Sequence, residues 1–456
     1  MTPDDQRAGP QAARRPVPRP GEEFPLSYEQ EDLWFLARFA PESTAYNIPA
    51  VWRFRGDIDP QALAASIFKL IERHEVLRTR FVERDGVPVQ IIEPAARAAR
   101  RLRVRTLRPG EELDERLRLE CDRPFDLSSP QRLRTLLVKA SQQDCSLLLD
   151  VHHIVSDEWS GALLWRDFSS FYHELLGRAG PPLPALPIRY GDYAAWQRET
   201  LSGSVRTRLV SYWGERLAGL RPLSLPEDYP RPAVQTFDGQ AHWFSFDGQA
   251  ARALLTVGRG CRATASMCYL AVFLVLLAQW TGARDLAVGT LSSGRNLPEL
   301  RDVAGYFVKT LVLRADLSGA PAFPELLARV RDAMIGALAH EALPFSQVVS
   351  AARAPRTPGR SPLFQVLYAY EAPGPAARFE LPGARMEPEG IDLSPARFDL
   401  EFTVIDRHRD SATVEAAVEY NTALFRPETA RLLGERFARL VTQIAAAPTR
   451  PLLHDQ

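Results

Sequence analysis

The residues best suited to chemistry are two adjacent histidines and the acidic pair that follows them. His152 and His153 are separated from Asp157 and Glu158 by three residues. A neutral imidazole can orient or deprotonate a nucleophile near pH 7, and a nearby carboxylate can brace it. Because successive side chains of a strand point to opposite faces, the two histidines cannot both reach into one cleft. We therefore predict that one histidine is structural and the other is reactive.

Two other roles for the histidines are compared with catalysis. A buried histidine more often packs in a core than acts in catalysis, and histidines at the end of a strand can cap neighbouring carbonyl groups. A zinc site is a further option, but adjacent strand residues diverge and no third His or Cys lies at a ligand spacing. We therefore predict no metal site.

The segments on either side of the histidines define where they lie. Residues 146–149 are typical of a buried strand, and from Trp159 to Leu175 the apolar residues repeat with helical spacing. Ser156 or Asp157 is a suitable N-cap for that helix, because its side-chain oxygen can accept a hydrogen bond from the first turn. The histidines are thus predicted at a junction of strand, loop and helix.

Both halves of the chain mix helical and strand patterns. In the first half, Asp59 and Pro60 can begin a helix, and Asp85-Gly86 is a typical two-residue hairpin turn. In the second half, the apolar run from Tyr269 to Trp280 predicts a buried helix, since it is shorter than a membrane span requires. These patterns predict an α/β protein.

The length of 456 residues suggests two or three domains. A proline-rich stretch at 180–187 breaks regular structure and is the best boundary between two lobes. We predict a disordered tail at 1–22, an N-terminal lobe at 23–180 that carries the histidines, and a C-terminal lobe at 181–456. The active site is then expected between the lobes.

Composition disfavours several classes of protein. The 56 basic residues balance 56 acidic ones, so no net positive field attracts nucleic acid or an anionic membrane. The four cysteines show no disulfide or metal-binding spacing, which fits a reducing compartment. The proline- and arginine-rich N-terminus lacks the apolar core of a signal peptide. We therefore expect a cytoplasmic protein that binds neither nucleic acid nor membranes.

Several stretches, taken together, resemble the condensation domains of nonribosomal peptide synthetases, which belong to the chloramphenicol-acetyltransferase-like superfamily. They are LSYEQEDLW at 26–34, RHEVLRTRF at 73–81, HHIVSD at 152–157, YGDYAAWQ at 190–197, GYFVKTL at 305–311, HEALPF at 340–345 and RSPLFQ at 360–365. Each stretch is weak by itself, but their order over nearly the whole chain is specific. The resemblance implies two chloramphenicol-acetyltransferase-like lobes that form a V-shaped pseudo-dimer with a tunnel between them.

The resemblance also implies an acyltransferase activity. Such enzymes join an acyl or peptidyl thioester, carried on the 4'-phosphopantetheine of a carrier protein, to an amine, and so form an amide bond in nonribosomal peptide, antibiotic or hybrid natural-product biosynthesis. No permanently bound cofactor is implied. Because we find no adenylation segment and no phosphopantetheine acceptor motif in the sequence, we expect a free-standing monomer that meets its donor carrier, and possibly an acceptor carrier, in trans.

Residue roles follow from the same resemblance. His153 is implied in the tunnel as the catalytic group, with His152 packed beneath it. Asp157 is implied to be structural, paired with Arg73 or Arg78; the alternative for these arginines is a solvated helix end.

Other residues at matched positions are implied to shape the site. Trp196 is expected to support it, and His340 is expected to be structural. Phe364, Tyr420 and Asn421 are expected to pack in the second lobe. The candidates for substrate binding are Ser156, Trp159, Tyr306 and Lys309.

Two positions depart from the family pattern. Glu158 stands where the family usually has Gly, and Lys309, one of three lysines, stands where it usually has Asn. At the first turn of a helix, Glu158 could simply face solvent. It could also face the tunnel and bind a cationic acceptor, act as a second base, block the usual substrate, or pair with Lys309.

Three alternatives to carrier-dependent amide formation stay open. The chain could recruit a tailoring enzyme without catalysis, although relatives that do so typically lose the second histidine, which is present here. It could transfer an acyl group to a soluble amine or alcohol. It could also use coenzyme A as the acyl carrier.

Overall fold

The computed structural model describes residues 15–355, 359–371, 381–390, 395–406 and 411–453. The strands are β1 (Glu23–Pro25), β2 (Asn47–Gly56), β3 (Thr79–Arg84), β4 (Val87–Ile92), β5 (Arg103–Thr106), β6 (Leu133–Lys139), β7 (Asp144–His152), β8 (Gly239–Asp247), β9 (Asp285–Ser292), β10 (Lys309–Asp316), β11 (Val366–Glu371), β12 (Ala384–Glu389), β13 (Leu400–Ile405) and β14 (Thr413–Asn421). The helices are α1 (Tyr28–Phe39), α2 (Pro60–Arg73), α3 (Ala95–Ala98), α4 (Leu113–Cys121), α5 (Glu158–Leu175), α6 (Tyr190–Thr200), α7 (Gly203–Arg216), α8 (Gly248–Gly260), α9 (Ala265–Thr281), α10 (Phe323–Ala339), α11 (Phe345–Ala351) and α12 (Pro427–Ala446).

The chain forms two compact units that are not continuous in sequence. The N-terminal unit comprises the described residues of Met1–Thr207, Ser293–Phe307 and Arg378–Ile391. The C-terminal unit comprises those of Arg208–Ser292, Val308–Ala377 and Asp392–Gln456. Two segments from the second half of the sequence therefore complete the first unit.

The N-terminal unit contains a five-stranded sheet in the order β12-β2-β7-β6-β5 and a three-stranded sheet in the order β1-β4-β3. In the larger sheet only β5 and β6 pair in parallel. Helices α2 and α5 bring apolar side chains such as Leu63, Leu70 and Phe168 into one core with Leu147 of β7. Burying this apolar surface fixes β7 and α5, the two elements that flank the histidines.

The C-terminal unit is built on a six-stranded sheet in the order β10-β9-β11-β13-β14-β8. Strand β11 pairs in parallel with both β9 and β13, and the other pairs are antiparallel. The apolar helix α9 is buried from Met267 to Ala278, as predicted for this run.

Local signals in the sequence correspond well to the observed elements. Asp59 caps α2 by accepting hydrogen bonds from the backbone of Gln61 and Ala62, and Pro60 is the first helical residue. Asp85 and Gly86 have φ values of 51° and 79° and join β3 to β4. Positive φ at both central residues is the requirement of the predicted hairpin turn.

The boundary between units differs from the predicted one at residue 180. The proline-rich stretch forms no helix or strand, but it packs on the N-terminal unit, because Ser170 donates to the Pro181 carbonyl at 2.7 Å. Helix α6 then adds Tyr190 and Tyr193 to the same core. The N-terminal unit therefore continues to Thr207.

The predicted tail also needs correction in part. Residues 1–14 lie outside the described residues, but 15–22 contact the rest of the N-terminal unit. Arg15 forms an ion pair with Glu299 at 2.7 Å. The backbone N–H of Arg19 donates to Asp192 at 2.8 Å, and its guanidinium pairs with Glu199 at 2.8 Å. These contacts hold the segment that leads into β1.

Within the described residues, no single helix has the length and apolar character of a membrane span. Helices α8 and α9 meet that standard only as a pair, and they are bent by 107° relative to each other.

Candidate active site

The two histidines lie where strand β7 ends and helix α5 begins, as the sequence predicted. His152 is the last residue of β7, a 3₁₀ turn spans His153–Val155, and Asp157 is the N-cap of α5. The backbone N–H of His153 donates to the Tyr46 carbonyl at 2.8 Å, which anchors the turn to the start of β2.

The imidazole of His153 is held in one tautomer. Its Nδ1 lies 2.8 Å from the backbone carbonyl of Ser156. A carbonyl oxygen can only accept, so Nδ1 carries the proton and donates it. In the neutral ring Nε2 is then the basic nitrogen, able to accept a proton. The ring is half-buried and meets the Tyr306 ring edge-on, with the two centroids 4.9 Å apart.

His152 has the opposite arrangement. Its ring is buried, and Nδ1 accepts a hydrogen bond from the Ile154 backbone N–H at 3.1 Å. Burial, together with the positive charges of Arg132 and Arg134, holds the pKa of His152 well below its ordinary value. The ring is therefore neutral with its proton on Nε2, and it shapes the turn that carries His153.

Asp157 is braced through both carboxylate oxygens. Its Oδ1 accepts from the Ser160 backbone N–H at 2.8 Å, and its Oδ2 accepts from the Phe307 backbone N–H at 3.0 Å. The charge is balanced by Arg295, whose Nη2 lies 3.1 Å from Oδ1. Both side chains are buried, at 5% and 1% exposure, so the ion pair is shielded from solvent.

Arg295 ties the start of α5 to the segment 293–307. Its Nη1 donates to the carbonyls of Leu300 and Val303 at 2.6 and 2.7 Å. Its Nη2 also donates to the Ser160 hydroxyl at 2.7 Å, and burial lowers the pKa of this guanidinium. Ser160 in turn donates to the Gly305 carbonyl at 2.8 Å and accepts from the Gly305 N–H at 3.0 Å.

These bonds place Tyr306 beside His153. Tyr190 donates its hydroxyl to the Tyr306 carbonyl at 2.6 Å from the other side. Gly305 is required here, because an added Cβ would lie 1.9 Å from the Tyr190 ring. The backbone is therefore held at Gly305, just before Tyr306, and at the carbonyl of Tyr306 itself.

The expected pairing of Asp157 with Arg73 or Arg78 is wrong. Arg73 is the last residue of α2, and its Nε donates to Asp167, in the third turn of α5, at 2.6 Å. Arg78 donates to the Glu93 carbonyl at 2.6 Å. Both arginines brace the N-terminal unit, but neither reaches the carboxylate that caps α5.

Arg73 forms its ion pair with Asp167. Burial opposes its ionisation, but the hydrogen bonds from His74 and Arg166 hold the pKa of Asp167 at about 2. Arg166 also donates to Asp302 at 2.6 Å, which gives α5 another link to the segment 293–307.

The other predicted site residues divide between the two units. Ser156 is buried at the end of the 3₁₀ turn, and Trp196 packs at the edge of the N-terminal core against Tyr193. Trp159 is 47% exposed and donates its indole N–H to the Arg301 carbonyl at 2.9 Å. Glu158 is exposed as the first residue of α5.

Lys309 and His340 belong to the C-terminal unit. Lys309 is buried as the first residue of β10. His340 stacks on Tyr212 with the ring centroids 3.6 Å apart, and its Nδ1 donates to the Gly336 carbonyl. That packing supports the structural role expected of His340.

Arg295 and Ser160 were not anticipated from sequence patterns. Of 56 basic residues only three are lysine, so an arginine in a polar loop carries little information. Ser160 follows the motif closely, and its position in the first turn of α5 was the only available signal. Among the described residues, no group of His, Cys, Asp and Glu is arranged to hold a metal ion.

Comparison with known proteins shows which family the chain belongs to. The family model described as condensation domain matches residues 21–454. Over 452 residues the chain is 39% identical to a linear gramicidin synthase protein of Brevibacillus parabrevis, covering 95% of this chain and 8% of that protein. The chain thus spans only a small part of this relative.

Solved structures give the same result. The X-domain from teicoplanin biosynthesis is 28% identical, with a TM-score of 0.85 over 96% of this chain and 98% of that one. That X-domain has also been solved in complex with OxyB, and it matches with a TM-score of 0.86. The first condensation domain of the CDA synthetase, at 20% identity, shares the fold over 94% of this chain and 98% of that one, with a TM-score of 0.78.

The chain therefore belongs to the condensation-domain family of nonribosomal peptide synthetases, as its motifs predicted. The predicted chloramphenicol-acetyltransferase-like α/β fold is confirmed.

Proposed function

We propose that this chain catalyses amide-bond formation between a carrier-bound acyl or peptidyl thioester and an amine. Two observations support the proposal: membership of the condensation-domain family, and an imidazole at His153 whose Nδ1 is tied to the Ser156 carbonyl at 2.8 Å. The second observation carries the argument, because it makes Nε2 the basic nitrogen of the residue that begins the 3₁₀ turn.

The proposed chemistry uses His153 to handle the amine. Nε2 accepts a hydrogen bond from the amine N–H and directs the nitrogen lone pair at the thioester carbonyl carbon. As the C–N bond forms, Nε2 takes up the proton that the nitrogen must lose. Collapse of the tetrahedral intermediate breaks the C–S bond, and the proton passes to the departing thiolate. The products are an amide and a free pantetheine thiol.

The partners that this proposal requires are a donor carrier protein and an amine presented on an acceptor carrier or in solution. The proposed reaction requires no cofactor bound to the chain. That it acts in trans, as a free-standing monomer and in the cytoplasm, stays a prediction.

A second candidate function is recruitment of a partner protein without condensation. It is favoured by one observation, the similarity to the X-domain that was solved in complex with OxyB. The presence of His153 in an ordered, tautomer-specific setting favours catalysis instead.

The test compares His153→Ala with His173→Ala. His173 lies on α5 and also donates through Nδ1 to a backbone carbonyl, that of Ser169 at 2.8 Å, so it is a matched control. Donors are a panel of acyl and aminoacyl pantetheine thioesters loaded on carrier proteins, and acceptors are amino-acid amides. Amide products are measured by mass spectrometry.

We expect His153→Ala to lower the rate by roughly 10²–10⁴-fold, the usual contribution of a positioned acid–base group. His173→Ala should retain the wild-type rate. Equal rates in all three proteins would contradict the catalytic proposal. If the wild-type protein forms no amide with any pair but binds a partner protein, the recruitment function is favoured.

A further inference from the structure

A group of charged and aromatic side chains lies behind His152, and the proposed mechanism does not use it. The Phe125 ring meets the His152 ring edge-on, with centroids 5.9 Å apart and an angle of 80° between planes. On Phe125 lies the guanidinium of Arg134, 3.8 Å from the ring centroid. Asp150, two residues before His152 on β7, pairs with Arg134 at 2.9 Å. Arg134, Phe125 and His152 therefore form a continuous series of contacts, which we call the stack: Arg134 lies on the Phe125 face, and Phe125 meets His152 edge-on.

The loop that carries Phe125 is fastened at both ends. Asn47, which faces His152 across the β2–β7 pair, donates to the carbonyls of Cys121 and Arg123 at 2.8 and 2.9 Å. Arg132 is fully buried and donates to the Ser129 carbonyl at 2.5 Å. Phe125 is thus held against His152 by contacts on either side of it in the chain.

Stability alone does not explain this group. The side chains of Arg134 and Asp150 are only 10% and 0% exposed, and burial raises the pKa of Asp150 to about 7. Removing two charges from water is unfavourable, and replacing a buried pair by apolar residues is often neutral or stabilising. The buried pair of Arg134 and Asp150 therefore indicates a role other than stabilising the N-terminal unit.

The position of the stack indicates what that role is. The His152 ring must be turned so that Nδ1 meets the Ile154 N–H, a bond of 3.1 Å inside the turn that begins with His153. A ring free to rotate about its side-chain torsions loses that bond. An aromatic edge-on contact restricts such rotation, and a stacked guanidinium fixes the aromatic ring in turn.

We propose that Arg134 and Phe125 are positioning residues for the condensation reaction. They hold the His152 ring so that it accepts from Ile154, and so set the turn that presents His153. The inference rests on the proposed function, because the consequence for rate passes through His153.

The test replaces the pair by apolar residues of similar size in Arg134→Leu/Asp150→Leu. This double variant leaves no charge of the pair without its partner, so the fold should survive. The matched control is Arg53→Leu/Asp144→Leu, which removes a cross-strand ion pair of 2.6 Å at the other end of β7. Phe125→Leu, with Phe54→Leu as its control, tests the same stack through a single apolar change. Phe54 is buried on β2, where it pairs with Cys145 at the other end of β7 from His152.

In the carrier-thioester assay, we expect kcat of the Arg134/Asp150 variant and of Phe125→Leu to fall about tenfold or more. KM for the amine should stay within about twofold, because the proposed role of the stack is to position His153 rather than to bind the amine. The controls should keep wild-type kcat. Arg134→Lys, which can pair with Asp150 but cannot stack as a plane, should give an intermediate rate.

A second readout does not depend on turnover. With ¹⁵N-labelled histidine, wild-type protein should show His152 with Nδ1 unprotonated and His153 with Nδ1 protonated. In the Arg134/Asp150 variant and in Phe125→Leu the His152 signals should become a mixture of tautomers, while both controls keep the wild-type pattern.

The two readouts separate the two proposals. Changed tautomers with no amide formed by any protein would uphold the positioning and contradict the proposed function. Unchanged tautomers in both variants, or a fall in kcat equal to that of the controls, would overturn the positioning role whether or not the wild type is an enzyme.

Discussion

Asp157 stabilises the site through a charge that solvent cannot screen. It caps α5, accepts from the Phe307 N–H and pairs with Arg295, and both members of that pair are buried. Removing the counter-charge of a buried carboxylate destabilises the folded state far more than removing that of an exposed one. The ion pair therefore links the helix start to the loop that carries Tyr306.

We predict that Arg295→Leu lowers the free energy of unfolding by about 3–5 kcal/mol, because Asp157 is left as an uncompensated buried charge. Urea unfolding at pH 7.5 measures this. Arg53→Leu removes a partly exposed ion pair and should cost only about 0–1 kcal/mol. The double variant Arg295→Leu/Asp157→Asn should recover part of the loss. A cost for Arg295→Leu no larger than that of Arg53→Leu would show that the charge is not buried as described.

At the neighbouring position, Glu158 places a carboxylate at the start of α5. It is exposed at the first position of α5, where the helix dipole favours a negative charge. One role open to it is attraction of a cationic acceptor amine.

Glu158→Gly is then expected to raise KM for a lysine-derived amide by roughly two- to fivefold, the range of an exposed charge pair. KM for an alanine amide should not change. Glu158→Gln, which keeps the size but not the charge, should behave like Glu158→Gly. An unchanged preference for the cationic amine in both variants would exclude this role and leave Glu158 as a helix-start residue.

At the scale of elements, α5 is the support of the site. Its first turn contacts the segment 293–307 through Trp159 and Ser160, and its third turn does so through Arg166. These contacts and the packing of α5 in the core fix the start of the helix. The turn that carries His153 lies just before that start, so its position is fixed as well.

Strands β13 and β14 of the C-terminal unit bring two carboxylates opposite each other. Glu401 lies directly opposite Glu419 in the antiparallel register. Burial, and then the facing carboxylate, raises the pKa of Glu401, and burial raises that of Glu419. The folded state thus binds protons that the unfolded state has released. By linkage, stability falls as the pH rises above the ordinary Glu range toward neutrality.

Glu401→Gln should remove this loss. We expect Tm of the variant to exceed that of the wild type by about 2 °C or more at pH 8, and to differ little at pH 5. Glu415→Gln, an exposed change on β14, should shift Tm equally at both pH values. Calorimetry that shows the same shift for Glu401→Gln at pH 5 and pH 8 would contradict the assigned pKa direction.

At the scale of the whole molecule, the N-terminal unit depends on chain from the second half. Strand β12 pairs with β2 from Ala384↔Gly56 to Glu389↔Val51, and the segment 293–307 supplies Arg295 to Asp157. A linear cut of the chain cannot therefore separate the two units.

A fragment of residues 1–207 is predicted to lack a cooperative unfolding transition, because β2 has an open edge and Asp157 has no counter-charge. Circular dichroism and urea titration would reveal this. Co-expression with residues 208–456 should restore cooperative unfolding. A fragment that unfolds cooperatively alone would show that the two crossing segments are dispensable.

Sequence patterns determined the local features of this protein. The strand, turn and helix around His152 and His153, the Asp59 cap, the Asp85-Gly86 hairpin and the buried helix α9 all follow from spacing of apolar residues and from turn chemistry over a few residues. The family also followed from the sequence, because its motifs occur in order along one chain.

Only the tertiary structure decided which distant groups meet. Asp157 and Arg295 are 138 residues apart, and Arg73 lies beside Asp167 instead. In a chain so rich in arginine, no local pattern distinguishes one guanidinium from another. Which arginine meets Asp157 depends on where the chain crosses back into the N-terminal unit. That path is set by packing of the whole unit rather than by any short segment.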